Sequence, residues 1–475
     1  MTTEDYIKQK GPLLSSQLIT YYEDENTSKD AIRKRLERLP ESIGRIRGFF
    51  KDNQTFFYHK EQQFTEKYFS VLIESLKTSA KQHYCIINSL QYHKGYIKKD
   101  ELASYSFSPI ENLKSHKNFS NVVRDLIRIG LIIEEEDYYT LSPNISSSNK
   151  SAYKAIEIVK KNILSHFYDL NRNIGFISYN AGNFNSEFSK FQFSFTAPSY
   201  ICGLSKPSFV LADIMIGGSN DEENINFFLT KINTIKKTHK KSNFIPYLIT
   251  DSLPNEAFNK LKENGIVIGL IDKLFGREYK ELMESLIDVI TNISVTLKKE
   301  PNKFIEIIEK FDKLIDGKTN NLRGDLFEFI VGYYHSNLCQ SIHIGKIYSD
   351  DGKKKEVDVY ASYQNKIILC ECKAYKIPIS LDIIEKWNEK IAFIYKVIEK
   401  NRSFTGDKNR DIIFEFWSIS GFSEEAIQYL QEKKNNLKKY KIEFYKRDEI
   451  LKKAKDSNAN KITDIMNEYF ANSDI

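Results

Sequence analysis

Apolar residues in the first third of the chain recur at spacings that predict short helices followed by aromatic strands. In TSKDAIRKRLERL the apolar residues Ile32, Leu36 and Leu39 recur at helical spacing behind a Ser or Thr cap. RIRGFFKDNQTFFYHK then has two short aromatic runs about a polar turn, which predicts a hairpin. The same order returns in HYCIINSLQYHKGYI, DELASYSF, NFSNVVRDLIRIGLI and LIIEEEDYYTLSP. We therefore expect two small α+β units, at 1–64 and 65–145.

This order of helices and a two-stranded wing resembles that of winged-helix DNA-binding domains, in which the third helix commonly enters the major groove. The resemblance gives DNA-contact candidates on the third helix of each unit: Lys29, Arg33, Lys34 and Arg38 in the first, and Asn121, Arg124 and Arg128 in the second. A solvated basic helix face or a protein-docking surface is the alternative. In the second unit the acidic wing residues 134–137 would repel phosphate, which weakens the case for DNA there.

Beyond the serine-rich stretch 146–149, strand and helix patterns alternate twice, which predicts two α/β domains at 146–297 and 304–475. The polar segment LKKEPNK between them is predicted to be a linker. VLADIM aligns with ILCECK, TDSLPNEAF with ISGFSEEAI, and GIVIGLID with YKIEFYKRD, in the same order. This indicates an internal duplication. A chance match between two unrelated α/β domains is the alternative.

The segment VDVYASYQNKIILCECK carries the candidate chemistry. Its two extended runs flank a polar turn, so they are expected to form a hairpin. Glu371 and Lys373, two residues apart on one strand, point to the same face, and the turn brings Asp358 back towards them. Two carboxylates repel each other unless a positive charge neutralises them. A hard divalent cation with oxygen ligands, Mg²⁺ (or Mn²⁺), fits this set.

An aspartate followed, one hairpin later, by Glu-x-Lys resembles the PD-(D/E)xK nuclease superfamily, here as Asp358 and 371–373. The segment Gly324-Asp325-Leu326-Phe327-Glu328 is similar to the family's first-helix glutamate, and WSISGFSEEA resembles the trailing segment of Mrr-like restriction nucleases. The resemblance covers about 320–450. Val357 stands where the family usually has proline, a minor departure.

The resemblance implies a restriction-endonuclease-like fold and Mg²⁺-dependent phosphodiester hydrolysis. It assigns Asp358, Glu371 and Glu328 to the metal and Lys373 to catalysis. Glu328 also has its own argument, because a carboxylate within LFEFIV is costly to bury unless it is paired or bound to metal. An ion pair with Arg323 or a neighbouring lysine is the alternative for Glu328. Glu356 is the alternative ligand if the strand register differs by two.

The middle domain has Asp213-Ile214-Met215 where the last domain has Glu-x-Lys, so its hydrolytic set is incomplete. Glu157 is the candidate counterpart of Glu328, and FQFSFTA offers no clear counterpart of Asp358. We therefore expect a multidomain fold: winged-helix units (α+β), then two α/β restriction-endonuclease-like domains, the first inactive. The inactive copy would bind DNA, mediate dimerisation or sense a ligand.

Composition refines this picture only slightly. A net charge of +6 and a pI near 8.6 permit nucleic-acid binding without requiring it. The five cysteines form no CxxC pair, which favours a reducing compartment, and Cys370 and Cys372 are interpreted as small core residues. The chain has neither an 18-residue apolar run nor a basic-then-apolar start, so a cytoplasmic protein without membrane contact is expected.

These observations favour a metal-dependent DNA endonuclease of restriction or anti-phage defence. Cutting both strands needs two active sites, so a homodimer is expected. No Walker loop occurs, so ATP hydrolysis would need an additional defence-system subunit such as an ATPase. Two alternatives remain: a non-catalytic DNA-binding or regulatory subunit, and a nuclease effector activated by a ligand that the middle domain senses.

Overall fold

The computed structural model describes residues 2–24, 28–199, 208–238, 243–315, 320–405, 410–456 and 463. The chain divides into two compact bodies, one formed by 1–156 with 163–280 and the other by 157–162 with 281–475. The predicted multidomain α/β class is confirmed by several small sheets covered by helices. None of the helices in the described ranges is long and apolar enough to cross a membrane.

The first unit of the first body begins with a helix whose cap residue, Thr2, exchanges hydrogen bonds with Asp5. Its sheet has the order β1-β3-β2, and apolar side chains of all three helices pack against it. The elements are α1 (Thr3–Lys10), β1 (Leu13–Leu14), α2 (Ser15–Asp24), α3 (Lys29–Glu37), β2 (Ile43–Ile46) and β3 (Phe56–His59).

The second unit repeats this arrangement after an added helix, and its sheet has the order β4-β6-β5. The helix predicted in HYCIINSLQYHKGYI ends early: Lys94 and Gly95 adopt positive φ, and the residues after them form a strand. A 3-10 turn replaces the predicted short second helix. The elements are α4 (Glu66–Ser79), α5 (Lys81–Tyr92), β4 (Tyr96–Lys98), α6 (Phe119–Arg128), β5 (Ile132–Glu134) and β6 (Tyr138–Leu141).

The middle region is built on a five-stranded sheet of order β11-β10-β9-β8-β7. The predicted extended segment FISYN is not a strand, and the sheet begins a few residues later. The elements are α7 (Lys150–Asn173), β7 (Asn183–Phe188), β8 (Phe191–Ser199), β9 (Ser208–Met215), α8 (Glu222–Thr238), β10 (Phe244–Thr250), α9 (Asn255–Glu263), β11 (Val267–Leu270), α10 (Ile271–Phe275), α11 (Arg277–Thr291) and α12 (Ile293–Lys299).

The last region has a second five-stranded sheet, of order β12-β13-β14-β15-β16. The predicted linker LKKEPNK is instead a junction between two helices, because Pro301 starts a new helix whose first turn contains the buried Phe304. The elements are α13 (Pro301–Ile315), α14 (Asn320–Ser336), β12 (Ser341–Asp350), β13 (Lys353–Ser362), β14 (Lys366–Lys373), α15 (Leu381–Thr405), β15 (Asp411–Ser418), α16 (Glu424–Asn436), β16 (Lys441–Tyr445) and α17 (Arg447–Asp456).

The two five-stranded sheets share one topology. In each, two antiparallel pairs are followed by two parallel pairs, and a helix crosses between successive parallel strands. Their registers also agree, because Met215 pairs with Thr250 as Lys373 pairs with Ser418. VLADIM and ILCECK therefore occupy equivalent places, as the sequence alignment predicts.

Candidate active site

The candidate carboxylates lie where two antiparallel strands separate. β13 and β14 are paired from Ser362 opposite Ile367 to Val359 opposite Cys370. Beyond that point the backbone N–H of Cys372 donates to the Asp358 carboxylate at 2.8 Å. The Asp358 side chain thus accepts from an N–H that would otherwise pair with the backbone of the neighbouring strand. Asp358 is thereby held at the open end of the hairpin, on the side where β14 ends.

Lys373 lies between both carboxylates. Its Nζ is 2.6 Å from Oε1 of Glu371 and 3.8 Å from Oδ2 of Asp358. Burial by itself would lower the pKa of Lys373, but the two carboxylates outweigh it and raise that pKa, so the amine stays protonated. The three side chains that the sequence grouped are therefore brought together within the reach of one ion.

A second lysine, which the sequence reasoning missed, completes this cluster. Lys390 of α15 donates to Oε2 of Glu371 at 2.5 Å, so both oxygens of that carboxylate hold an ammonium group. Burial disfavours the charge on Lys390, yet Glu371 and Asp358 raise its pKa. The alignment of the two domains contained a signal for this residue, because Lys231 lies at the corresponding point of α8.

Glu328 lies on α14 and is only 9% exposed. Its charge acts on the same thiol as the other two carboxylates: burial first, then Asp358, Glu328 and Glu371, raise the pKa of Cys372 far above its usual range. Glu328 therefore lies near Cys372. Glu356, the alternative ligand, instead lies close to Gly345 of β12. The described ion pairs of Lys373 are with Asp358 and Glu371 and not with Glu356.

Asp358 and Glu371 offer carboxylate oxygens, which Mg²⁺ prefers, and waters with substrate phosphate would complete its usual shell. Among the described residues, Glu328 is not grouped with these two carboxylates at direct ligand spacing, so it would reach the same ion through a water or a shift of its side chain. The two lysines neutralise the carboxylates without a metal. A bound cation would compete with these ammonium groups for Glu371, so its affinity should depend on them.

The equivalent place in the middle region is closed by a buried ion pair. Lys231 donates to Oδ2 of Asp213 at 2.5 Å, and both side chains are 0% exposed. Backbone oxygens of Ser104 and Gln192 also accept from Lys231, at 2.7 and 2.8 Å. Ser194 occupies the position of Asp358 and donates to Asp213 through its backbone N–H at 2.8 Å.

These contacts leave the middle region without the features of the last one. Met215 replaces the lysine, a serine replaces the first carboxylate, and Lys231 and Ser194 bind the fully buried Asp213 carboxylate. Glu157, the candidate counterpart of Glu328, pairs with Lys161 one turn along its own helix at 2.8 Å. The structure therefore shows a buried ion pair where the last region has Glu371, and the inactive nuclease-like copy stays a prediction.

The predicted DNA-contact residues have mixed surroundings. Lys34 and Arg38 are exposed at the end of α3, whereas the side chains of Lys29 and Arg33 lie outside the described part of the chain. On α6, Arg124 donates to Oδ1 of Asn121 at 3.1 Å. Arg128 lies 3.3 Å from Asp125. Each α6 candidate thus has an internal partner.

A basic surface runs between the first two units, and of its cationic lining residues the sequence analysis singled out Arg128 alone. It consists of two clefts, of about 520 and 680 Å³, which share Arg47. Among the described residues that line them, none is acidic. The cationic lining residues of this basic surface are Arg45, Arg47, Lys51, Lys81, Lys117 and Arg128.

Aromatic rings form part of the same basic surface. Phe49 stacks on His83 with ring centroids 4.4 Å apart, and Lys117 lies over Phe49 at 6.0 Å. The Asp125 carboxylate forms hydrogen bonds with Lys117 and with His83 of this stack. The surface thus offers several positive charges beside flat apolar rings.

Comparisons with known proteins add little to this description. No protein-family model matches the chain, and no curated protein matches it. Among solved structures, protein VC1899 from Vibrio cholerae matches with 9% identity and a TM-score of 0.19, over 44% of this chain and 50% of that one. The chain thus spans about half the length of that structure, and so low a score supports no conclusion about fold or function.

Proposed function

We propose that the chain is a metal-dependent nuclease that hydrolyses phosphodiester bonds of DNA, with its active site at the open end of the β13–β14 hairpin. The observation that carries this proposal is the contact of Lys373 with both Asp358 and Glu371, at 3.8 and 2.6 Å. Restriction or anti-phage defence is the setting we propose for it, as a homodimer in the cytoplasm.

Each residue of the proposed active site would have a separate role. Asp358, Glu371 and Glu328 would hold Mg²⁺ or Mn²⁺, which supplies charge neutralisation at the phosphate and acidifies a bound water. Lys373 would orient the attacking water or stabilise charge that develops on the phosphate oxygens. Lys390 would position Glu371 by holding its outer oxygen. The first two units would bind duplex DNA as winged helices.

The decisive experiment is cleavage of plasmid, single-stranded DNA and RNA by the purified chain with Mg²⁺, Mn²⁺ or EDTA. Cleavage of DNA that requires the metal supports the proposal. A chain that binds DNA but cuts no substrate with either metal, even after addition of cell extract or nucleotides, is a non-catalytic binding subunit. Cleavage that appears only with extract or nucleotides favours a nuclease effector that senses a ligand.

Loss of the second lysine should change the metal requirement. Replacing Lys390 with methionine removes a positive charge that competes for Glu371, so Mg²⁺ should half-saturate cleavage at a concentration about three- to tenfold lower. The maximal rate should fall, because Glu371 loses the contact that orients it. The measurement is initial cleavage rate against free Mg²⁺. An unchanged or higher Mg²⁺ requirement would show that Lys390 does not compete with the metal.

The basic surface should carry phosphate contacts. Arg47→Glu should weaken duplex binding at least about tenfold at low salt and reduce the slope of log Kd against log salt by about one or more. Lys237→Glu, an exposed residue of α8 with the same change of charge, is the matched control and should leave both quantities unchanged. If Lys34→Glu weakens binding far more than Arg47→Glu, α3 rather than this surface carries the main contact.

A further inference from the structure

On the face of β14 opposite Glu371, three side chains of different chemistry meet in the core. His335 of α14, Cys370 of β14 and Glu415 of β15 are 2%, 1% and 4% exposed. One donor atom from each lies within 4.8 Å of the other two. Three secondary-structure elements therefore contribute one potential metal ligand each to a single buried volume.

The separations between these atoms match the edges of a tetrahedral zinc site. Nε2 of His335 is 3.3 Å from Oε2 of Glu415 and 3.5 Å from Sγ of Cys370, and the sulfur is 3.7 Å from the same oxygen. With the usual bond lengths of Zn²⁺ to nitrogen, oxygen and sulfur, the three edges should be about 3.3–3.4, 3.5–3.6 and 3.5–3.7 Å.

The surrounding hydrogen bonds orient the donors as a metal site requires. Nδ1 of His335 is 2.8 Å from the Tyr363 hydroxyl, so that hydroxyl can accept the Nδ1 proton and leave the Nε2 lone pair towards the cluster. The indole N–H of Trp417 donates to Oε2 of Glu415 at 2.9 Å. A carboxylate held by a neighbouring N–H is the usual second contact of a metal-bound ligand.

We propose that His335, Cys370 and Glu415 form a Zn²⁺ site with three protein ligands, separate from the carboxylate site on the other face of the sheet. Binding would release the Cys370 thiol proton to solvent, with His335 as a neutral imidazole and Glu415 as a carboxylate. Thiolate, carboxylate and Zn²⁺ then sum to zero charge, which suits a buried position. A water molecule would complete the tetrahedron. The ion would tie α14 to β14 and β15 while the chain folds.

The test uses the full chain purified from zinc-supplemented medium and dialysed against a weak chelator. Elemental analysis should give about one zinc per chain. Growth with Co²⁺ instead should give a cobalt–thiolate charge-transfer absorption in the wild-type chain, which needs no substitution. Absence of stoichiometric zinc together with absence of that band would overturn the proposal and leave a hydrogen-bonded core cluster.

Variants separate this site from the candidate active site. Cys370→Ser should lose the cobalt–thiolate band and most of the zinc, whereas Cys85→Ser, a buried cysteine of the first body, should keep both. Asp358→Ala should also keep both, whatever it does to cleavage. Retention of the band in Cys370→Ser, or its loss in Asp358→Ala, would contradict the assignment. The zinc measurement stands even if the chain cleaves no nucleic acid.

Discussion

If the chain is the proposed nuclease, Lys373→Met should reduce Mg²⁺-dependent DNA cleavage by at least about 10²-fold, because the transition state would lose a charged donor beside the phosphate. Methionine is the appropriate substitution, since Met215 already occupies the equivalent position in the middle region. The fold should therefore accept it. The measurement is the single-turnover rate at saturating Mg²⁺, with thermal unfolding to verify that the variant is folded.

The matched control for this variant is Lys376→Met, because Lys376 is an exposed lysine three residues further along the chain. It should cleave at the wild-type rate. Asp358→Ala should lose activity at least as severely as Lys373→Met, since it removes a metal ligand and the acceptor of the Cys372 N–H. Full activity of a folded Lys373→Met or Asp358→Ala chain would refute the nuclease proposal.

Lys231→Met should destabilise the first body by about 3–5 kcal/mol, because it leaves the Asp213 carboxylate buried without its charged partner. The same change at Lys260, which pairs with Glu222 at 2.8 Å on the surface, should cost at most about 1 kcal/mol. Asp213→Leu combined with Lys231→Met should recover part of the loss, since no charge then remains in the core.

Both tryptophans of the chain, Trp387 and Trp417, belong to the second body. Tryptophan fluorescence during urea unfolding therefore follows that body and should hardly change in Lys231→Met. Hydrogen exchange of the β9 amides follows the first body and should accelerate. If β9 exchanges at the wild-type rate in the variant, the buried pair contributes no net stability.

The candidate site was predictable because it rests on local strand geometry. Side chains two apart on a strand share a face, so Glu371 and Lys373 had to point together once β14 was recognised as an apolar strand. The polar turn made a hairpin, and a hairpin returns Asp358 to the same end. Helix α14 followed from its long apolar run, which located Glu328.

Other contacts depend on packing that no local pattern specifies. Lys231 sits among the apolar residues of INFFLTKINT, where helical amphipathicity would direct a lysine towards solvent. It is buried because Asp213 lies opposite, and that requires knowing how α8 crosses the sheet. Lys390 was equally hard to predict, because its contact with Glu371 depends on how α15 packs against the sheet.

The cluster on the far face of β14 was equally hidden from the sequence. Cys370 is buried, as expected of a small core residue, but its neighbours His335 and Glu415 come from segments 35 and 45 positions away. The predicted linker LKKEPNK was wrong for a different reason. Lys298 and Lys299 lie at the end of α12 and Pro301 at the start of α13, so polarity marked a helix junction rather than a boundary.

β14 presents unlike chemistry on its two faces, with Glu371 and Lys373 on one and Cys370 on the other. Because side chains alternate strictly, inserting one residue at the 364–365 turn so that the pairing slips by one would exchange the faces. The thiol would enter the acidic cleft and the lysine would be driven into the apolar interior. Loop-length variants at this turn should therefore be tolerated in steps of two residues, and single insertions should abolish both folding and metal binding.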